Sequence, residues 1–230
     1  MLKGFFDIDK PFWQWFCKIP EVVALSILWI LCCLPVVTIL PASIALYDAI
    51  ARGVMNGAGG YFRRFFSTLW NELKRGILLT LLWGALLLMI LYGETMLYSM
   101  AEVQPEAGYL LPVFMGLYLI YFGVLGWLIP LESRYHFRFW QLQGYAYRFF
   151  LGQLPYSALM LVISVAGVIL CLLWPLLVII MPGVIAMLHC IFVEKVFKKQ
   201  FPDDYPADEV YPPGPPENDP AKPLPTPTEE

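Results

Sequence analysis

The stretch Gly60–Arg75, GYFRRFFSTLWNELKR, constrains the fold of this chain more than any other part of the sequence. Wound as an α-helix, it places apolar side chains on one face, namely Phe62, Phe65, Phe66, Leu69 and Leu73. The opposite face carries polar and basic side chains, namely Arg63, Arg64, Ser67, Asn71, Lys74 and Arg75. An aromatic face opposite a basic face is typical of a helix that lies in the plane of a bilayer surface. We therefore predict an interfacial helix here, with its basic side chains among the lipid headgroups, and a membrane span directly after Gly76.

Composition indicates that lipid is the solvent of most of the chain. Hydrophobic residues make up 59% of the sequence and charged residues 14%, with a mean hydropathy of +0.65, which is more apolar surface than a soluble domain of this size can bury. Residues 1–200 hold 14 Lys+Arg against 10 Asp+Glu, whereas residues 201–230 hold one Lys against 8 acids and are rich in proline. We predict an integral membrane helical domain over residues 1–200 and a disordered, proline-rich, acidic cytoplasmic tail over residues 201–230.

The first membrane segment is interrupted by two prolines. Val22–Leu34 is almost wholly apolar, and Pro35 and Pro41 then favour a stop and a restart of the helix. Two arrangements fit residues 22–51: one kinked crossing, or a short hairpin that turns near residues 36–40. The following connector is basic and the next one, Tyr98–Tyr109, contains no Lys or Arg. Because basic connectors stay in the cytoplasm, the sequence favours the hairpin.

The rest of the chain also alternates between apolar segments and more polar connectors. Ile77–Leu97 and Leu110–Leu131 are predicted spans, and Ser157–Val193 is long enough for two more. Between them lies an aromatic and basic connector that contains Arg138 and Arg148, which we expect to contact lipid headgroups on the cytoplasmic side. The predicted fold is all-α: a polytopic transmembrane bundle of five to six membrane helices, the first broken at Pro35 and Pro41, with amphipathic interfacial connector helices. Both termini are expected in the cytoplasm.

A short sequence pattern occurs in both of the basic connectors. The pattern Gly-Tyr-x-x-Arg-Phe-Phe begins at Gly60 and again at Gly144, and each copy leads into an apolar span. Structural repeats related by an axis near the membrane normal would explain it. The composition shared by cytoplasmic interfacial helices would explain it equally well.

Residues that could carry chemistry are few. His136 and His189 have no Cys, Asp or Glu at metal-ligand spacing on the same helix face. The sequence contains no nucleophile elbow, phosphate loop or paired carboxylates, so we expect neither an enzyme nor a metal or other cofactor. The expected partners are the lipid bilayer and other membrane proteins, and no nucleic acid.

The broken first helix offers the one candidate contact site for a substrate or partner. Asp48 lies near the break with Thr38, four residues before Arg52, and Asn71 follows on the basic stretch. An ionisable residue inside a membrane protein often handles an ion or substrate. The simpler interpretation is that Asp48 and Arg52 form a local ion pair and neutralise each other near the interface.

Several short motifs together resemble the YesL-like family of bacterial integral membrane proteins. They are Pro11-Phe12-Trp13, Leu28-Trp29, Leu34-Pro35-x-x-Thr38, Pro41-Ala42, Ala45-Leu46-Tyr47, Phe65-Phe66 and Asn71-x-x-Lys74. The resemblance covers residues 5–85 best, and this chain has Leu40 where the family pattern usually has glycine. It implies an inner-membrane protein, of a family of unknown function, often encoded beside carbohydrate ABC transporters and sensor kinases. No catalytic residues are carried over.

The expected function is therefore that of a non-catalytic accessory or regulatory membrane protein linked to carbohydrate uptake, with a sugar ABC transporter or a sensor kinase as partner. The alternative is a small-molecule carrier with its site at the broken first helix, around Thr38 and Asp48.

Overall fold

The computed structural model describes residues 11–55, 60–135 and 138–200. These residues form helices and the turns between them, without a strand. The seven α-helices are α1 (Pro11–Cys32), α2 (Ile39–Asp48), α3 (Tyr61–Val103), α4 (Leu111–Arg134), α5 (Phe139–Gly152), α6 (Leu154–Leu173) and α7 (Met181–Gln200). A π-helix, Ala49–Val54, extends α2, and 3-10 turns precede α2, α4 and α7. The predicted tail over residues 201–230 and His136 lie outside the described residues.

The chain reverses direction between α1 and α2. The indole nitrogen of Trp29 donates a hydrogen bond to the Ser43 hydroxyl at 3.1 Å, and the Lys18 ammonium donates to the backbone carbonyl of Met55 at 3.2 Å. In one continuous helix Trp29 and Ser43 would be about 21 Å apart along the axis. The two helices therefore run antiparallel, and residues 33–38 form the turn.

The helix α2 is the centre of the bundle. Residues 40–54 are all buried except Ser43. Small side chains such as Ala42, Ala45 and Ala49 allow the neighbouring helices to approach closely. One such close approach is between Pro41 and Gly76 of α3, where a Cβ atom added to the glycine would lie 2.6 Å from Cβ of the proline. Leu40 is helical and buried within this core rather than part of a glycine-type turn.

The helix α3 corrects the prediction of a separate interfacial helix over residues 60–75. Its 43 residues run from Tyr61 through Gly76 to Val103 without interruption. The first turns do not lie apart from the bundle, because Phe65 is fully buried and Glu72 is 6% exposed, whereas Phe66 and Trp70 are exposed. Glycine inside a helix costs only about 1 kcal/mol, and here its missing side chain makes room for Pro41.

The second half of the chain packs as further antiparallel pairs. The Tyr121 hydroxyl of α4 donates to the Trp83 carbonyl of α3 at 2.9 Å. The fully buried Trp127 of α4 donates from its indole nitrogen to the Ser157 hydroxyl of α6 at 2.8 Å. The helices α6 and α7 meet where Ile185 fills the space beside Gly167.

Between α4 and α6, the chain forms the amphipathic connector helix α5. Its buried face consists of Leu142, Ala146, Phe149 and Phe150. Phe150 packs so closely on Gly123 of α4 that a Cβ atom there would clash with its ring. The exposed face includes Trp140 and Arg148.

The two copies of the repeated pattern are both helical after the glycine but differ at their first and last residues. Gly60 precedes α3 with a positive φ of 66°, a conformation that favours glycine, whereas Gly144 lies inside α5. The last phenylalanine also differs, because Phe66 is 51% exposed and Phe150 is 5% exposed. At these two positions the copies differ in backbone conformation or in burial.

Four helical segments among the described residues are long and apolar enough to cross a membrane. They are Val36–Val54, Tyr61–Val103, Gly108–Arg134 and Leu154–Leu173. Their apolar surfaces are those of a membrane protein. The prediction of five to six crossings also requires α1 and α7 to cross, and neither is among these four.

Candidate functional site

Seven charged side chains converge inside the bundle at the end where α2, α4 and α7 finish. We name them the charged cluster: Asp48, Arg52, Glu72, Arg75, Glu132, Arg134 and Glu194. Six of them are at most 9% exposed, and the side chain of Arg75 is 27% exposed. They come from α2, its π-helical extension, α3, α4 and α7. Charged side chains are rarely this buried unless they are paired.

The first pair of the cluster is Asp48 with Arg52. The Arg52 Nε atom lies 3.1 Å from Asp48 Oδ1, and the other carboxylate oxygen accepts a hydrogen bond from the Thr68 hydroxyl of α3 at 2.8 Å. Arg52 also donates from Nη2 to the backbone carbonyl of Ser133 at 3.0 Å. The local pair expected from the spacing is present, but it lies inside the protein and connects α2 to α3 and α4.

The second and third pairs connect α4 to its neighbours. Arg75 of α3 approaches Glu132 with its Nε atom 2.7 Å from Oε1. Arg134, two residues further along α4, forms an ion pair and a hydrogen bond with Glu194 of α7. The Tyr47 hydroxyl of α2 donates to the same Glu194 carboxylate at 3.4 Å.

One expectation is wrong in this region. Arg75, predicted to contact lipid headgroups, pairs instead with Glu132, which is 1% exposed. The reason is the course of α3: its basic first turns pack against the end of α4, so an arginine faces a buried carboxylate.

The ion pairs and hydrogen bonds of the charged cluster connect neighbouring helices. Removing charges from water costs several kcal/mol for each ion, and pairing with good hydrogen bonds offsets much of that cost. Once the pairs exist, removing one partner leaves an uncompensated charge inside the bundle. The cluster therefore specifies how α2, α3, α4 and α7 pack against one another.

The other predicted site residues do not join the cluster. The Thr38 hydroxyl donates to the backbone carbonyls of Cys32 and Pro35, so it serves the turn between α1 and α2. Thr38 and Asp48 flank opposite ends of α2, about 15 Å apart along the axis. Asn71 is exposed on the outer face of α3.

The remaining residues predicted at the lipid headgroups lie largely on the outside. Arg63, Lys74, Arg138 and Arg148 are exposed, and Arg64 is half-buried. The Arg148 guanidinium lies 6.0 Å from the centre of the Tyr145 ring, within cation–π range.

A second interior feature is an apolar cavity of about 740 Å³ between α2, α4, α6 and α7. Most of its lining is aliphatic or aromatic, and its few hydroxyl, indole and imidazole groups are hydrogen-bonded within the protein. The His189 Nε2 atom lies 3.1 Å from the Met160 carbonyl, so Nε2 carries the hydrogen, and 3.2 Å from the Ser164 hydroxyl. Tyr47 both lines the cavity and bonds Glu194, so the cavity and the charged cluster adjoin.

No group of three or more His, Cys, Asp or Glu residues is placed to hold a metal ion in residues 11–55, 60–135 and 138–200.

Sequence reasoning missed the charged cluster because its members are far apart in the chain. One signal was present: Glu132 and Glu194 are acids beside basic residues at the predicted cytoplasmic ends of spans. An acid in that position suggests a basic partner on a neighbouring helix.

Comparison with known proteins adds one match. Residues 22–93 match a family model described as "Protein of unknown function, DUF624". This part of the chain comprises the second half of α1, all of α2 and three quarters of α3, and so contains the central helix and the Asp48–Arg52 pair. No curated protein and no solved structure matches the chain.

Proposed function

We propose that this chain is a multi-pass protein of the bacterial cytoplasmic membrane that acts as a non-catalytic accessory or regulatory component of carbohydrate uptake. Both termini are in the cytoplasm, and the partner is a sugar ABC transporter or a sensor kinase. The link to carbohydrate uptake rests on the resemblance to the YesL-like family. The match of residues 22–93 to DUF624 is compatible with it.

The observation that carries the non-catalytic part is the pairing of charges in the interior. Asp48, Glu132 and Glu194 each have an arginine partner. The adjoining cavity offers an apolar lining instead of the many hydrogen-bonding groups that a sugar needs. The polar side chains inside this bundle therefore stabilise the packing of the helices. A rigid bundle of this kind is suited to binding another protein.

The exposed side of the first turns of α3 is the surface that we assign to the partner. Trp70 is 78% exposed there, beside the exposed residues Phe66, Asn71 and Lys74. Tryptophan and basic side chains around it are common at the centres of protein interfaces. This surface lies at the same end of the bundle as the charged cluster, because Glu72 and Arg75 belong to the same turns of α3.

The experiment is a pull-down of the tagged full-length protein from native membranes in mild detergent, with co-purified proteins identified by mass spectrometry. We expect a sugar permease or a sensor kinase with the unchanged protein and a severalfold loss with Trp70→Ala. The matched control is Trp174→Ala, since Trp174 is 68% exposed beyond the far end of α6. Recovery of the tagged protein alone would contradict the accessory function.

The carrier alternative makes a different prediction. Thr38→Val and Asp48→Asn would each abolish solute uptake if a transport site lay at the broken helix. The accessory function predicts that Thr38→Val leaves partner binding unchanged, because its hydroxyl bonds only the local turn in the structure. Uptake and pull-down measured on the same two variants therefore separate the two functions.

A further inference from the structure

The apolar cavity has the size and the openness of a ligand site. Its volume of about 740 Å³ lies within the range of roughly 300–1,000 Å³ that is typical of ligand pockets. One side is open between helices: Val165, Val168 and Leu172 of α6 line it and are 55%, 58% and 77% exposed. These residues belong to Leu154–Leu173, one of the four segments able to cross a membrane. The opening therefore continues the surface that faces the acyl chains of the bilayer.

The polar groups of the cavity are already satisfied within the protein. Ser43 accepts from the Trp29 indole and donates to the Ile39 carbonyl, 2.7 Å away. Ser164 donates to the Met160 carbonyl at 3.0 Å. A polar solute would lose its bonds to water without gaining these groups in return. An apolar chain loses no hydrogen bonds on entry, so the lining selects for hydrocarbon.

Two basic residues lie on helices next to one end of the cavity. Ser157, which lines this end, donates to the Phe150 carbonyl of the connector helix α5 at 3.2 Å. Arg148 is exposed two residues before Phe150, and Lys195 is exposed on α7 six residues beyond the lining residue His189. Neither lines the cavity, but both lie toward the end of the bundle where a lipid headgroup would stay while its chain follows the cavity.

We propose that the cavity binds one acyl chain of a membrane phospholipid. The chain enters from the bilayer through the open side beside Val165, Val168 and Leu172. Its headgroup stays at the end near Ser157, beside the basic residues of α5 and α7. This site is independent of the protein partner proposed above, so failure of either leaves the other standing.

Photolabelling tests the proposal on the full-length protein. The protein is reconstituted into vesicles of phosphatidylethanolamine and phosphatidylglycerol, with a trace of phosphatidylglycerol that carries a diazirine in its acyl chain. After illumination, labelled residues are identified by peptide mass spectrometry. We expect labels on cavity residues such as Met160 and Ile185. Labels restricted to outward-facing residues outside the cavity, such as Leu170 and Leu173, would overturn the proposal.

A cavity-filling variant and two controls sharpen the test. Gly126 lines the cavity, and a Cβ atom there would meet only the Met160 Cε atom, at 3.6 Å. Gly126→Leu should therefore fill the space and reduce cavity labelling severalfold, whereas Gly126→Ala should keep it. Gly116→Leu on the same helix, where nothing lies within 4 Å of an added Cβ atom, should leave labelling unchanged.

Two results would count against the site. Undiminished cavity labelling in a monodisperse Gly126→Leu protein would mean that the lipid does not occupy this space. An absence of lipid adducts at Met160 and Ile185 in the unchanged protein, with outward-facing residues labelled normally, would mean that lipid does not reach the cavity.

Discussion

The charged cluster and the apolar cavity adjoin at Tyr47, but they use polar groups in opposite ways. In the cluster, arginines and carboxylates from α2, α3, α4 and α7 are buried together and bind one another. In the cavity, the few polar groups other than Tyr47 bond to nearby side chains or carbonyls, and the rest of the lining is apolar. The comparison teaches that buried polar side chains in this protein connect one helix to another, whereas the cavity lining is suited to an apolar ligand.

The largest expected effect comes from breaking an ion pair in the cluster. Arg134→Ala leaves the Glu194 carboxylate, 4% exposed, without its arginine. We expect a loss of about 3–5 kcal/mol in the free energy of unfolding, because an uncompensated buried charge is costly. Unfolding in mixed micelles with increasing SDS measures it.

The control for this variant removes both charges. Arg134→Met combined with Glu194→Leu should recover most of the lost stability, since apolar residues of similar volume often replace a buried pair well. A double variant as unstable as the single one would show that the pair does more than neutralise charge.

An intermediate effect is expected at the packing contact next to the cluster. Gly76→Ala brings a Cβ atom to within 2.6 Å of Pro41, and neither the proline ring nor the helix can move aside freely. The variant should lose about 1–3 kcal/mol of stability through overpacking. Gly84→Ala in the same helix meets nothing within 4 Å and should be neutral or slightly stabilising. Equal stability of the two variants in SDS titrations would contradict the close approach of α2 and α3.

The smallest effect is expected in the cavity. Ser164→Ala removes a hydroxyl that bonds the Met160 carbonyl and the His189 ring, but the ring still reaches that carbonyl at 3.1 Å. We expect a loss of about 0.5–1.5 kcal/mol, the net value of one hydrogen bond. Ser99→Ala on the exposed side of α3, where the hydroxyl bonds Met96, serves as control and should change stability by less than about 0.5 kcal/mol. A loss at Ser164 as large as that at Arg134 would remove the distinction between the two regions.

Much of the fold could be predicted from the sequence, because apolar runs and their periodicity report local helical structure. The all-helical fold was predicted correctly, and the predicted span Leu110–Leu131 lies close to α4. The interfacial helix over residues 60–75 was wrong as a separate element. The sequence shows that Gly76 can interrupt a helix, but only the tertiary structure shows that its small size accommodates Pro41.

The candidate site was less predictable. Of its three ion pairs, only Asp48 with Arg52 joins residues close in sequence, and only that pair was anticipated. Arg75 meets Glu132, and Arg134 meets Glu194, through the packing of α4 against α3 and α7. Such convergence depends on which helices become neighbours, and helical periodicity within each segment carries no information about that.

The uninterrupted course of α3 fixes the distance between its two ends. At about 1.5 Å per residue its 43 residues reach about 64 Å, roughly twice the thickness of the hydrocarbon layer of a bilayer. Trp70 stands near one end and the exposed Glu102 near the other. The helix therefore holds Trp70 and Glu102 about 48 Å apart along its axis, a distance larger than the hydrocarbon layer is thick.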